Sequence, residues 1–277
     1  MDSDTPGVWE TDAALKIDDW AHRTLLKEDW DGWVMYNDEP PGGKASGSVG
    51  HCKGVVAWNS DKAGWLIHSV PLWPPAFGQQ LDGREILDNI RDDQVKFGQS
   101  FAWVDVARTD LAKVLDQVCV MQPAAYCVND GQGLWESAKR AHGPRDISWT
   151  DLGAGVRHVA KRRQWGRCLF EEALVREAGG ACLAETWCRP KPRPTERVWN
   201  AVVLGWPDTT PLVAYHESQD HSKYAVSEGA DRPWTYVGDI NNMKSQWKRG
   251  GGGLVFSDPG IHRAFRSLIH TDDRILG

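Results

Sequence analysis

The sequence predicts a mixed α/β fold, sheets flanked by helices, built as two similar halves around one central cleft. Three observations lead there. The chain carries two His-x-Lys triplets, His51-Cys52-Lys53 and His221-Ser222-Lys223. The order of segments around the first recurs around the second. Apolar, Trp-led runs that read as strands alternate with segments of helical periodicity. The expected division is 1–150 for the first half and 151–277 for the second, with one triplet in each.

The repeat is read as follows. Trp33-Val34-Met35-Tyr36 forms a strand and a turn-rich loop follows. His51-Cys52-Lys53 then opens the strand Gly54–Trp58, and a polar turn leads to the strand Trp65–Val70. In the second half Val198–Trp206 takes the first place. His221-Ser222-Lys223 opens Tyr224-Ala225-Val226, and a polar turn leads to Trp234–Asn241. A weak internal repeat of this kind implies two halves packed face to face, with both triplets in one cleft.

Strand geometry explains the triplet spacing, because positions i and i+2 share a face. His51 would then project with Lys53, and His221 with Lys223. Histidine titrates near neutrality and can attack or carry a proton. Lysine is a compact point charge for phosphate oxygens. The plain alternative for either triplet alone is an edge strand with two exposed polar residues.

The remaining elements are expected in order. A helix over 9–29 with Thr11 as its cap comes first. Helices or helical turns at 81–96 and 109–118 flank a strand at Ala102–Val106. A long helix over 155–178, ended by Gly179-Gly180, carries a basic first half: Arg157, His158, Lys161, Arg162, Arg163 and Arg167. Arg189–Pro194 reads as an extended connector. A helix over 260–270 turns Ile261, Phe265, Leu268 and Ile269 inward.

Composition sets bounds. The chain has 277 residues and sixteen Trp, enough for a substantial core. No apolar run is long enough to span a membrane, and the acidic N-terminus lacks a secretory pattern. The expectation is a soluble protein, cytoplasmic or already processed. The net charge of −6 is unusual for a nucleic-acid binder; protonating all nine histidines would take it to +3. Acidic conditions would then favour a phosphate-rich partner. The six cysteines show no zinc-site spacing, and no carboxylate cluster suggests a two-metal site, so no metal or other cofactor is expected. Arg249-Gly250-Gly251-Gly252-Gly253 lacks the Lys-Ser/Thr ending of a P-loop. Its glycines are expected to allow close backbone approach.

Several stretches, in matching order over most of the chain, carry a family likeness. They are Tyr36-Asn37-Asp38-Glu39-Pro40-Pro41, Gly50–Val55, Trp65–Pro71, Phe97-Gly98-Gln99-Ser100, Asp220–Tyr224, and Trp234–Asn241 followed by Arg249–Gly252. On them the chain resembles deoxyribonuclease II, the acid DNase family, whose fold is similar to the phospholipase D superfamily. The resemblance implies a phospholipase D-like pseudo-dimer and a DNA substrate. It implies an active site of His51, Lys53, His68, His221, Lys223 and Asn241. His68 would be a third active-site histidine; the plain alternative is a hydrogen-bonded residue at a strand end. Asn241 would be the supporting Asn of a Gly-Ser-x-Asn stretch, here Gly238-Asp239-Ile240-Asn241. The matching run in the first half is taken as Ser69-Val70-Pro71-Leu72, with Leu72 where the family commonly has Asn. A Cys pair of the animal relatives would fall at Ala225 and Tyr236.

The function expected on this basis is metal-independent hydrolysis of DNA phosphodiesters through a phosphohistidine, leaving 3′-phosphate ends and favoured at acidic pH. A catalytically weak nucleic-acid-binding protein and a phospholipase D-like phosphodiesterase are the alternatives. A homodimer is compatible with the sequence.

Overall fold

The computed structural model describes residues 28–77, 90–189, 195–206, 213–229 and 231–276. Most of the expected helix at 9–29, most of that at 81–96 and most of the Arg189–Pro194 connector lie outside the described residues.

Two sheets carry the chain. The first runs β4-β3-β2-β1-β5 and is antiparallel throughout. Its strands are β1 (Gly32–Asn37), β2 (Lys53–Trp58), β3 (Lys62–His68), β4 (Phe101–Ala107) and β5 (Ala125–Asn129). The second is the path β10-β9-β8-β11-β12-β13-β7-β6, with β14 added to β9. These strands are β6 (Ile147–Gly153), β7 (Val156–Lys161), β8 (Cys182–Glu185), β9 (Val198–Trp206), β10 (Val213–His216), β11 (Tyr224–Ser227), β12 (Thr235–Gly238), β13 (Gly251–Phe256) and β14 (Ile269–Asp272). Among the described strands β8 and β9 pair in parallel, and an isolated parallel bridge joins Gly98 to Asp220. The principal helices are α1 (Leu111–Met121), α2 (Leu134–Ala141) and α3 (Pro259–Ser267). Asp258 caps α3, its side chain accepting the Ile261 N–H at 2.7 Å, and Pro259 supplies the first turn.

Strand alternation sorts the core. On one face of the first sheet Val34, Tyr36, Val56, Trp65 and Ile67 pack with α1 and with Ala160 and Leu254 of the second sheet. The opposite face, Met35, Val55, Ala57 and Leu66, packs under Val70 and Trp73. β2 is therefore buried at every position, as a strand covered on both sides must be. The sheets touch directly where the His158 ring lies 4.2 Å from that of Trp65. The buried indole N–H of Trp65 donates to the Tyr36 hydroxyl at 2.9 Å.

Three expectations are corrected. The first half of the expected 155–178 helix is instead β7, paired with β6 in a hairpin. Gly153, Ala154 and Gly155 have φ of 85°, 49° and 76°, which turn the chain back on itself. Helical segments appear as a short 3-10 turn at Arg163–Trp165 and as a π-helical turn at Phe170–Leu174 running into Val175–Ala178. The basic residues are not one stripe. His158 and Lys161 are fully buried, whereas Arg157 lies over the Trp149 ring at 4.5 Å and reaches Glu177 at 3.2 Å.

Secondly, the strand beside the second His-x-Lys strand is β8, not β9. Tyr224 of β11 faces Glu185 of β8, as Gly54 of β2 faces Tyr36 of β1. Thirdly, strand register shifts the match between the halves by one residue. Gly54 faces Ile67, and Tyr224 faces Val237. Ser69 therefore corresponds to Asp239 and Pro71 to Asn241, while Leu72 corresponds to Asn242. Leu72 has φ 59°, a conformation that Asn adopts more readily than Leu. Ala225 and Tyr236 lie directly opposite each other, where a Cys pair would be adjacent. None of the six cysteines is in a disulfide.

Candidate active site

Both histidines sit at the bend that leads into a buried strand, and of the two triplets only Lys53 enters its strand. β2 begins at Lys53 and β11 just after Lys223, at Tyr224. The expectation of two residues sharing a strand face is corrected accordingly: the histidines are placed by loop hydrogen bonds. The second bend is held by the Asp220 carboxylate, which accepts the Ser222 N–H at 2.7 Å.

Those hydrogen bonds run between the sheets and occur twice in exchanged form. The His51 N–H donates to Gly250 O at 2.8 Å, and the His221 N–H to Gly98 O at 2.7 Å. His51 Nδ1 lies 2.8 Å from Asp239 O, and His221 Nδ1 lies 3.1 Å from Ser69 O. The acceptors are themselves fixed alike, Ser69 N–H to Ser100 O at 3.0 Å and Asp239 N–H to Gly252 O at 3.1 Å. A carbonyl only accepts, so Nδ1 carries the hydrogen in both rings. Nε2 is left with its lone pair in both, the tautomer that an attacking or proton-accepting imidazole needs.

The Gly250 loop is set by a buried lysine. Lys161 Nζ donates to Gln246 O at 2.9 Å and Trp247 O at 3.1 Å, and also to Arg249 O. A Cβ on Gly250 would lie 2.0 Å from Met121 O, so glycine is what lets this backbone reach His51.

The cations are treated differently in the two halves. Lys53 is paired with Asp38, and both are 2% exposed. The other Asp38 oxygen takes Arg249 Nη2 at 3.0 Å, and Arg249 also donates to Ser46 O and Val49 O. Burial pushes the Asp38 carboxyl up, but the charges of His51, Lys53 and Arg249 outweigh it and hold the group well below the carboxylate range. By register, Trp187 stands where Asp38 stands in the first half. Trp187 turns an edge contact toward His221, with centroids 5.2 Å apart, and toward Phe97 at 5.1 Å. Lys223 Nζ donates to His221 O. Burial, then the neighbouring Lys53 charge, bring Lys223 down to about 7.

Both histidines resist protonation. Burial brings His51 down to about 3; Lys53, Lys223 and Arg249 add to this, while Asp38 opposes it. Burial lowers His221 further still, with Lys223, Lys53 and His51 adding to the effect. Charge from each triplet thus bears on the other, so the structure brings His51, Lys53, His221 and Lys223 together. Asn241 follows β12 on the same loop as Asp239 and is 6% exposed. Asp239 is fully buried, which raises its carboxyl well above the usual range against the pull of Lys53. His68 is 1% exposed, its ring at the edge of Trp73 and stacked on Phe101. Lys53 and Asp38 act on it electrostatically. Sequence reasoning passed over Asp38, Arg249, Asp239 and Trp187 as site residues. The first three lie inside the stretches that carry the resemblance, but pairing across 211 positions leaves no sequence signal.

The net charge of the fold does not follow the histidine count. Burial holds His51, His68, His158 and His221 below the ordinary histidine range. With these four held neutral, histidine protonation does not carry the chain from −6 to +3. A stability prediction follows. An unfolded histidine titrates near 6.5, whereas His51 and His158 in the fold do so near 3. Between those values the unfolded chain binds more protons, so stability falls as pH falls through this window. Each such group contributes about 1.4 kcal/mol per pH unit once well below 6.5. Urea unfolding at pH 7, 6, 5 and 4 should show this loss, and His158→Gln should lessen its slope. A flat profile from pH 7 to 5 would contradict it.

Among the described residues no group of three or more His, Cys, Asp or Glu is arranged to hold a metal ion. Nor is any helix among them long and apolar enough to cross a membrane.

A mixed α/β framework that holds two His-Lys pairs in one buried, cationic site is suited to phosphate chemistry of the hydrolase class. The deoxyribonuclease II profile matches residues 22–274. The chain belongs to the deoxyribonuclease II family, a family of nucleases. It is 30% identical over 264 residues to a putative deoxyribonuclease-2 of Burkholderia pseudomallei, covering 87% of this chain and 71% of that one. It is 28% identical over 255 residues to plancitoxin-1 of Acanthaster planci, covering 85% and 69%. Deoxyribonuclease-2-beta of Mus musculus is 28% identical over 259 residues, with the same coverage.

Proposed function

We propose that the chain is a metal-independent endonuclease that hydrolyses DNA phosphodiesters through a phosphohistidine and leaves 3′-phosphate ends. The observation that carries this is the exchanged hold on the two histidines. Each has Nδ1–H fixed by a main-chain carbonyl from the other sheet, at 2.8 and 3.1 Å. Each is followed two residues later by a buried lysine.

On this reading one Nε2 attacks phosphorus, and the P–O5′ bond breaks. The other imidazole gives its proton to O5′, then takes one from water, which displaces the histidine. Lys53 and Lys223 hold the non-bridging oxygens as charge builds on them. Asn241 belongs to the loop that supports His51 through Asp239 O. His68 backs Lys53 from the neighbouring strand, as a packing and electrostatic support. DNA is the substrate in the site.

The same features support a phospholipase D-like pseudo-dimer with halves at 1–150 and 151–277. β4-β3-β2-β1 and β13-β12-β11-β8 have matching antiparallel pairings. Acidic pH favours the reaction for a local reason, not for net charge. With histidines titrating this low, the imidazolium that protonates the leaving oxygen forms only as pH falls, helped by the negative phosphate once it is bound.

The test is plasmid cleavage with EDTA present, followed by end analysis. The reading expects nicks whose 5′ ends accept phosphate directly and whose 3′ ends block polymerase extension until dephosphorylated. Extendable 3′ ends would overturn it.

A further inference from the structure

We infer that the two dyads have fixed, different roles: His221 is the nucleophile and His51 is the acid and base, because Asp38 stands beside the first dyad where Trp187 stands beside the second. The assignment rests on the proposed two-histidine mechanism and goes beyond it, since nothing in that mechanism distinguishes the two.

The geometry is unequal at one pair of matched positions. Asn37 faces Lys53 in the β1–β2 register, and the next residue, Asp38, pairs with Lys53. Continuing the β8–β11 register by one step sets Thr186 opposite Lys223, and the next residue is Trp187. The Asp38 carboxylate is tied into the surroundings of His51 from both sides. One oxygen meets Lys53, two residues along; the other meets Arg249 at 3.0 Å, the residue before the Gly250 carbonyl that takes the His51 N–H. Around His51 the charged groups are therefore Asp38, Lys53, Lys223 and Arg249, with Asp239 behind its hydrogen-bonded carbonyl. The charges that bear on the His221 ring are those of Lys223, Lys53 and His51, and its ring neighbour is the indole of Trp187; the one carboxylate close by in the chain, Asp220, is turned to the Ser222 N–H and the Tyr215 hydroxyl.

An imidazolium is stabilised by a nearby carboxylate and opposed by cations and apolar contact. When a phosphodiester adds its negative charge, the histidine beside Asp38 is the one that takes up the proton. The other stays neutral, its Nε2 lone pair available to phosphorus. In the first step His221 Nε2 bonds to phosphorus, the P–O5′ electrons go to oxygen, and His51 delivers its Nε2 proton there. In the second, His51 takes a proton from water, the water oxygen bonds to phosphorus, and the P–N bond breaks to restore neutral His221. Trp187 is a positioning residue on this account. It sets an indole at the position matched by Asp38 and buttresses the His221 ring.

The test uses leaving groups of different need. One oligonucleotide carries an ordinary linkage; a second carries a 5′-bridging phosphorothiolate at one site, whose thiolate departs without a proton. Enzyme is in excess, so that one turnover is read. The parent should cleave both. His51→Ala should lose the ordinary linkage yet cleave the phosphorothiolate, with a ratio raised at least about 100-fold over the parent. Its phosphoryl group should remain on the protein, because the base for water is gone. His221→Ala should cleave neither. As a measurement independent of how the variants fold, the parent is acid- or base-quenched during turnover and the N-phosphorylated peptide mapped; it should contain His221. Rescue of His221→Ala in place of His51→Ala, no rescue of either, or a phosphorylated His51 peptide would overturn the assignment while leaving a two-histidine nuclease standing. A parent that cleaves neither substrate would overturn the mechanism beneath it.

Discussion

Asp38→Ala is expected to cost about 3–5 kcal/mol of stability, the effect of removing one partner from a buried ion pair. The substitution would leave two cations, Lys53 at 2% exposure and the largely buried Arg249, without their shared carboxylate. The free ends of that network then matter for the site. Arg249 would no longer be anchored through Asp38, and the neighbouring Gly250 carbonyl holds His51. Cleavage should fall with stability. Urea unfolding with an unchanged slope would measure the loss directly. A loss below about 1 kcal/mol, the value of an exposed pair, would mean that Asp38 is not the buried hub described here.

The second large effect is catalytic. His51→Ala and His221→Ala should each reduce cleavage of ordinary DNA by about 10³-fold or more. The double variant should be scarcely worse than the weaker single, because residues that act as one unit are strongly non-additive. Additive losses would point to two independent contributions and would contradict a shared site. Thermal unfolding of each variant distinguishes a chemical loss from a folding one.

Much of the framework was legible in the sequence because short, dense apolar runs with polar turns are hard to read otherwise. Trp33–Tyr36, Ala102–Val106 and Val198–Trp206 all lie within strands. The 109–118 segment lies largely within α1. The errors came where one signal has two causes. The end of the strand Val156–Lys161 is buried from His158 onward, so His158 and Lys161 looked like part of a basic helical face. β8 has four residues, too few for periodicity to register, and β9 was taken in its place.

The triplets themselves were legible as chemistry, but their support was not. His51 is held by residues about 190 and 200 positions away, through carbonyl oxygens that any residue could supply. Side-chain identity carries no trace of such bonds. Asp38 and Arg249 offered a visible charge each, yet only the fold shows that they share one lysine's surroundings. The low protonation of the histidines was also invisible, since composition counts all nine alike whereas burial removes four from the count.

The most direct test of the two-histidine site is nicking of supercoiled plasmid at pH 5 with EDTA present, comparing the parent with His51→Ala and His221→Ala. The account predicts nicking by the parent and none above background by either variant. Nicking that persists in both variants, or a parent that nicks only when a divalent metal is restored, would contradict it.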